Sequence, residues 1–143
     1  TLSGNSMAWI EQRICEGKVK FGLDVVFIDH LHFLIDMSSK SNMSLEIGNV
    51  MRTLKRMALK YNIAFFLMAH TQKTKQDTEP DNDILRDSSF VAQESDNVFF
   101  IWRLLNTDND AILKITKNRR LGIMNKKIKL RKVGNFLEEL LHD

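Results

Sequence analysis

Apolar residues fall along this chain in short blocks whose spacing alternates between a helical and an extended period. From about Ser6 to Gly17 the apolar positions Met7, Ile10 and Ile14 share one side of a helix, with Gly17 as its expected stop. Val25 to Ile28 is unbroken Val-Val-Phe-Ile, too short for a helix and suited to a strand buried on both faces of a parallel sheet. A polar stretch from Asp36 to Asn42 reads as a loop. Ser44 can then cap a long helix to about Tyr61, whose Ile47, Val50, Met51, Leu54, Met57, Ala58 and Tyr61 keep close to the 3.6 period. Ile63 to Met68 makes a second buried strand that ends on Ala69-His70. Thr71 to Asp83 is polar and holds the only proline, Pro80, so it reads as a loop. After a short amphipathic segment, Asn97 to Trp102 forms a third apolar strand, and Asn106 to Asp110 a turn. Ala111–Lys117 and Lys126–Val133 alternate like a hairpin, with Ile128 and Leu130 facing inward.

Strand and helix in alternation, then a hairpin, predict an α/β fold. Its parallel sheet would carry helices on both faces and be extended by the C-terminal antiparallel hairpin. At 143 residues the chain is the size of one domain, expected to occupy residues 1–143. The longest apolar run, Ile63 to Ala69, is too short to span a bilayer, so no membrane partner is expected. A single cysteine, Cys15, excludes an intrachain disulfide framework and fits a reducing compartment such as the cytoplasm. The net charge is only +3, but the nine Lys and Arg residues between Ala111 and Val133 meet no carboxylate there. Such a block attracts polyanions, nucleic acid foremost, unless it is simply a solvated strand face.

The candidate chemistry begins at Asp29. An acid at the C-terminal end of a buried strand lies where open α/β sheets bind ligands. In nucleoside triphosphatases such a residue is the Walker B aspartate, which holds Mg²⁺ against the phosphates. Taken alone, four apolar residues and an aspartate also occur wherever a buried strand exits into a turn. His30 and His32 follow directly, and their spacing could chelate a metal with Asp29. No further Cys or His cluster completes a zinc shell, and the metal-site reading is set aside.

Four segments in order resemble the ATPase motor domain of DnaB-family hexameric replicative helicases. Gly22-Leu23-Asp24-Val25-Val26-Phe27-Ile28-Asp29 resembles the Walker B strand. Phe65-Phe66-Leu67-Met68-Ala69-His70 is similar to the strand ending in a γ-phosphate sensor. Its histidine resembles the phage primase-helicase and mitochondrial Twinkle branch, whereas the bacterial branch usually has Ser-Gln. Asp83-Ile84-Leu85-Arg86-Asp87-Ser88-Ser89, with Gln93-Glu94-Ser95-Asp96-Asn97-Val98, resembles the Asp-Leu-Arg-x-Ser motif and the Gln-x-x-Asp lead into the next strand. Ile115-Thr116-Lys117-Asn118-Arg119-Arg120-Leu121-Gly122 is similar to the Lys-x-Arg-x-x-Gly element that supplies an arginine finger.

The resemblance covers roughly Gly22 to Val133 and implies a RecA-like P-loop NTPase fold, ATP or another nucleoside triphosphate with Mg²⁺, and a hexameric ring on single-stranded DNA. It implies that Asp29 holds Mg²⁺ directly or through water and that His70 contacts the γ-phosphate. Lys117 and Arg119 would reach the nucleotide of the neighbouring subunit, a role that requires an oligomer. Gln93 and Arg86 would link nucleotide state to the DNA-facing loop, and Lys73 and Lys75 on the Thr71–Asp83 loop would touch DNA. Primase and a helicase loader are the further partners implied.

The departures are specific. No Gly-x-x-x-x-Gly-Lys-Ser/Thr occurs, and the only Gly-Lys pair, Gly17-Lys18, is followed by Val19. The catalytic glutamate of the family lies upstream of Walker B and is not assigned to Glu11 or Glu16. The expectation is a C-terminal part of a motor domain that binds nucleotide poorly by itself. Two rivals stand beside it: a short DNA-binding or ring-interacting module without a nucleotide loop, and a RecA-superfamily recombinase-like ATPase. Tyr61 and Trp102 are expected in the core rather than stacked on bases.

Overall fold

The computed structural model describes residues 6–35, 42–70, 79, 89–104, 107, 109–122 and 125–140. The chain divides into two compact units, residues 1–74 with 85–94 and residues 75–84 with 95–143. The expected loop residues Lys73 and Lys75, together with Arg86, lie outside the described residues.

The first unit opens with α1 (Met7–Phe21), whose N-terminus is capped by Ser6 accepting from the Trp9 amide at 3.2 Å. The expected stop at Gly17 does not hold. Gly17 lies within the helix because an added Cβ there would stand 3.2 Å from Leu23 Cδ2. The chain turns instead at Gly22, whose φ of 66° closes the helix by donating to the carbonyls of Gly17 and Lys18. The long helix α2 (Met43–Tyr61) starts one residue before Ser44 and is capped by Asn42, which accepts from the Ser44 amide. Its apolar stripe is core, as the periodicity required: Ile47, Val50, Met51, Leu54 and Met57 are all buried.

Strand β1 (Val25–Ile28) pairs in parallel with β2 (Ala64–Leu67), from Val25 opposite Ala64 to Ile28 opposite Leu67. Val26, Ile28, Phe65 and Leu67 join one cluster with Ile14 of α1, the stripe of α2, Val91 of α3 (Ser89–Glu94), and Leu31 of the 3₁₀ turn Leu31–Leu34. The α/β class stands, but burial on both strand faces does not. Phe27 is 65% and Phe66 49% exposed, and their rings stack at 4.9 Å on the face turned away from that cluster. Every described helix contributes its buried residues to the same cluster, so alternate positions of an apolar strand are left open.

In the second unit, β3 (Asn97–Arg103), β4 (Asp110–Asn118), β5 (Lys126–Val133) and β6 (Phe136–Glu139) form an antiparallel sheet in that order. The expected hairpin is therefore its middle, and the third apolar strand pairs with β4 rather than with β1 or β2. Val98 and Phe100 are buried while Phe99 and Ile101 are exposed, the alternation of a one-sided strand. Ile128 and Leu130 are half-buried as expected, and so are Tyr61 and Trp102. Lys114 and Lys127 stand opposite one another, an arrangement of like charges that is unfavourable unless neutralised. Glu79 neutralises both: Lys114 Nζ, on a side chain only 5% exposed, lies 2.9 Å from one carboxylate oxygen, and Lys127 Nζ donates to the other. Hydrogen bonds from Lys127 and then Lys114 hold the Glu79 carboxyl below the ordinary range.

Two outcomes test this packing. Ile47→Ala should cost about 2–5 kcal/mol in chemical denaturation. Gly48→Ala should not gain the ~1 kcal/mol of helix propensity, because its Cβ would meet the Phe90 ring 3.1 Å away. The gain should appear in a Phe90→Ala background. The second outcome concerns acid. Asp110 accepts from Arg131 at 2.9 Å, and this hydrogen bond lowers its pKa. The contribution is complete above the ordinary carboxylate value of about 4 and is lost as pH falls through the lowered folded value. Asp110→Asn should therefore flatten the acid limb of a plot of melting temperature against pH.

Candidate functional site

The parallel register decides where the acids and imidazoles go. Because β1 and β2 run in the same direction and end level at Ile28 and Leu67, the residues after both strands emerge at one sheet edge. Two backbone bonds extend the pairing past the strands: Met68 donates to the Ile28 carbonyl at 3.0 Å, and Leu31 donates to the Met68 carbonyl at 2.9 Å. Asp29 and His30 are thereby held beside Ala69 and His70.

Asp29 presents its carboxylate to solvent, 78% exposed, with His30 Nδ1 4.0 Å from one oxygen. The Asp29–His30 peptide is cis. The His30 and His70 rings are 4.5 Å apart between centroids, His30 and Phe33 also 4.5 Å, and His30 and His32 5.5 Å. The sequence singled out Asp29 and His70, and the structure brings them to the same edge. It also puts His30 between them, a contact that spacing along the chain does not reveal.

An open carboxylate beside solvent suits a hydrated divalent cation, which keeps much of its water shell. The histidines do not make a metal site. Among the described residues no group of three or more His, Cys, Asp or Glu is placed to hold an ion, in line with setting the His30–His32 chelate aside. His32 Nδ1 is buried without a hydrogen-bond partner among the described residues. Nucleotide phosphates need a cradle of backbone amides and a lysine besides, and the sequence contains no such loop.

The finger candidates are in the second unit. Lys117 lies in β4, and Arg119 follows the strand in a turn braced by the Asn118 side chain, which accepts from the Leu121 amide, and by Gly122 with φ 66°. Arg119 is held twice by Asp96: its amide donates to the Asp96 carbonyl at 2.8 Å, and its guanidinium lies 3.1 Å from the carboxylate. In the sequence Asp96 reads only as part of a strand lead, and its pairing with Arg119 spans 23 residues. Gln93 is exposed on α3, whose neighbour Glu94 pairs with Arg52 at 3.6 Å.

The basic block also looks different in three dimensions. Lys114 and Lys127 are matched by Glu79, Arg131 by Asp110 and Arg119 by Asp96, all acids outside the block. Much of its charge is thus structural, and Arg120, Lys126, Lys129 and Lys132 remain as exposed cations.

Several known proteins share this sequence and fold. The replicative DNA helicase DnaB of Rickettsia felis is 30% identical over 101 residues, 68% of this chain and 20% of that protein. The DnaB of Buchnera aphidicola from Acyrthosiphon pisum is 29% identical over 94 residues, 62% of this chain and 20% of that protein. The chain thus spans about a fifth of the length of the curated relatives it matches. Among solved structures, one helicase ATPase domain superposes with a TM-score of 0.82 at 21% identity, covering 95% of this chain and 52% of that one. A DnaB-like replicative helicase, solved in a study of its interactions with primase, superposes with a TM-score of 0.78 at 22% identity over 90% of this chain and 34% of its own. These likenesses give the RecA-like helicase ATPase fold. The sequence model of the DnaB-like helicase C-terminal domain matches residues 2–137, and the chain belongs to that family.

Proposed function

We propose that this chain is part of the motor of a replicative DNA helicase, a hexameric ring that hydrolyses ATP or another nucleoside triphosphate and unwinds duplex DNA by moving on single-stranded DNA. The observation that carries the reading is the parallel β1–β2 pairing, which sets Asp29 and His70 at one sheet edge in a member of this family. Phosphoryl transfer asks mainly for positioning and for charge around the γ-phosphate.

In the complete protein, Asp29 holds Mg²⁺ through water, and the cation neutralises charge on the β- and γ-phosphates. His70 donates a hydrogen bond to the γ-phosphate. The phosphate loop and the catalytic glutamate are supplied from outside these residues. Lys117 and Arg119 act on the nucleotide of the neighbouring subunit, and Gln93 and Arg86 relay its state toward the loop carrying Lys73 and Lys75, which contacts DNA. Asp96 holds Arg119 in readiness until a phosphate competes for the guanidinium. Primase and a loader are the further partners. No described helix is long and apolar enough to cross a membrane, and the cytoplasm is the proposed compartment.

The test is turnover by the full-length ring. Asp29→Asn and His70→Ala should abolish steady-state phosphate release. Arg119→Ala should lower it by roughly 10³–10⁵ while nucleotide binding stays close to that of the wild type, since a finger acts on the transition state. Rings mixed from wild-type and Arg119→Ala subunits should lose activity non-linearly with mutant fraction. Normal turnover in all three variants refutes the site.

DNA contact is tested separately. Fluorescence titration with single-stranded DNA should show Lys73→Ala/Lys75→Ala losing affinity, with a steep salt dependence and little base preference in the wild type. Lys126→Ala/Lys129→Ala is the comparison, because those cations are exposed whereas Lys127 is engaged with Glu79. A loss confined to the strand pair would move the DNA site to the four-stranded sheet.

A further inference from the structure

His30 is the imidazole for which the proposed chemistry has no use, yet it has the densest surroundings at the sheet edge. Its side chain is 22% exposed, with Asp29 Oδ1 4.0 Å from Nδ1. The His70 ring packs on it at 4.5 Å and 59°, and the Phe33 ring also at 4.5 Å, at 51°. Such tilted contacts lie within the range in which aromatic rings attract one another. His30 occupies the cap position of the Leu31–Leu34 turn, but its side chain makes no capping hydrogen bond there. The ring is therefore directed to its neighbours rather than to the local backbone.

The geometry points to His30 as a positioning residue for His70. His70 is exposed at the end of β2, so few of its neighbours restrict its rotamers. A ring packed against it removes orientations in which its N–H would miss a phosphate oxygen. Phe33 backs His30 in turn, so that His70, His30 and Phe33 form a row, and the 29–31 backbone is held to Met68 by the Leu31 amide. Asp29 and His70 thus keep a fixed separation through one intervening side chain. The effect belongs to the shape of the ring, so phenylalanine should replace it and alanine should not. This inference rests on the reading of His70 as the γ-phosphate contact.

The experiment compares His30→Ala, His30→Phe and His70→Ala in the full-length ring, each checked by thermal melting. His30→Ala should lower kcat by about tenfold to a hundredfold, the scale of a misplaced catalytic group, with KM for nucleotide changed less than about twofold, because a contact made in the transition state is what is lost. His30→Phe should restore kcat to within a few fold of wild type. His70→Ala should be inactive. If His30→Ala does not fold, His30→Leu takes its place, retaining bulk without a flat ring face, and should show the same kcat loss. Wild-type kcat in the folded alanine or leucine variant, with only a lower melting temperature, reduces His30 to a filler and overturns the inference. A His30→Phe variant as slow as alanine overturns it as well, since the ring face would not be what matters. Normal turnover by His70→Ala is the separate outcome that removes the parent reading and this inference with it.

Discussion

The pairing of two four-residue strands is the constraint on which the site depends. In-register parallel pairing makes Ile28 and Leu67 end together, and the Met68 and Leu31 amides carry that alignment two residues further. Slipping β2 by one residue would turn Phe65 and Leu67 out of the core and move His70 away from Asp29. Core packing and site geometry are therefore one requirement. The buried stripe of α2 anchors the strands that deliver both functional side chains.

Elements governed by local period were legible in the sequence. Val25–Ile28, the Ile47–Met57 stripe and the two strands flanking the 119–125 turn stand where the periodicity puts them. Local glycine chemistry was less decisive. Gly17 and Gly22 are both plausible stops, and only the approach of Leu23 to Gly17 shows that the first is a packing position. Strand β6 escaped notice although its signal was present: Val133-Gly134-Asn135-Phe136 is a two-residue hairpin connection, with Gly134 at φ 62° and Val133 opposite Phe136.

What the sequence hid are contacts between distant residues. Glu79 reads as one acid in a polar stretch, and only the opposition of Lys114 and Lys127 across two strands gives it a role. Asp29 and His70 were found through motif spacing, but the ring between them was not, because a histidine after a strand-end aspartate has no periodic signature. The openness of Phe27 and Phe66 was hidden for the opposite reason. An apolar run states that a strand suits a dry setting and does not state which part of the protein supplies it.

The double attachment of Arg119 to Asp96 has a consequence for how the surroundings act on the molecule. The backbone bond fixes where the residue leaves the sheet, while the guanidinium–carboxylate contact, more than half exposed on the arginine side, is subject to screening over about 8–10 Å. Added salt therefore loosens the side chain without moving its root. The same ions weaken any hold of exposed lysines on a polyanion. Ionic strength thus pulls two surfaces of one unit in opposite directions, freeing a cation at one while masking cations at the other, so their joint performance has an optimum rather than a limit.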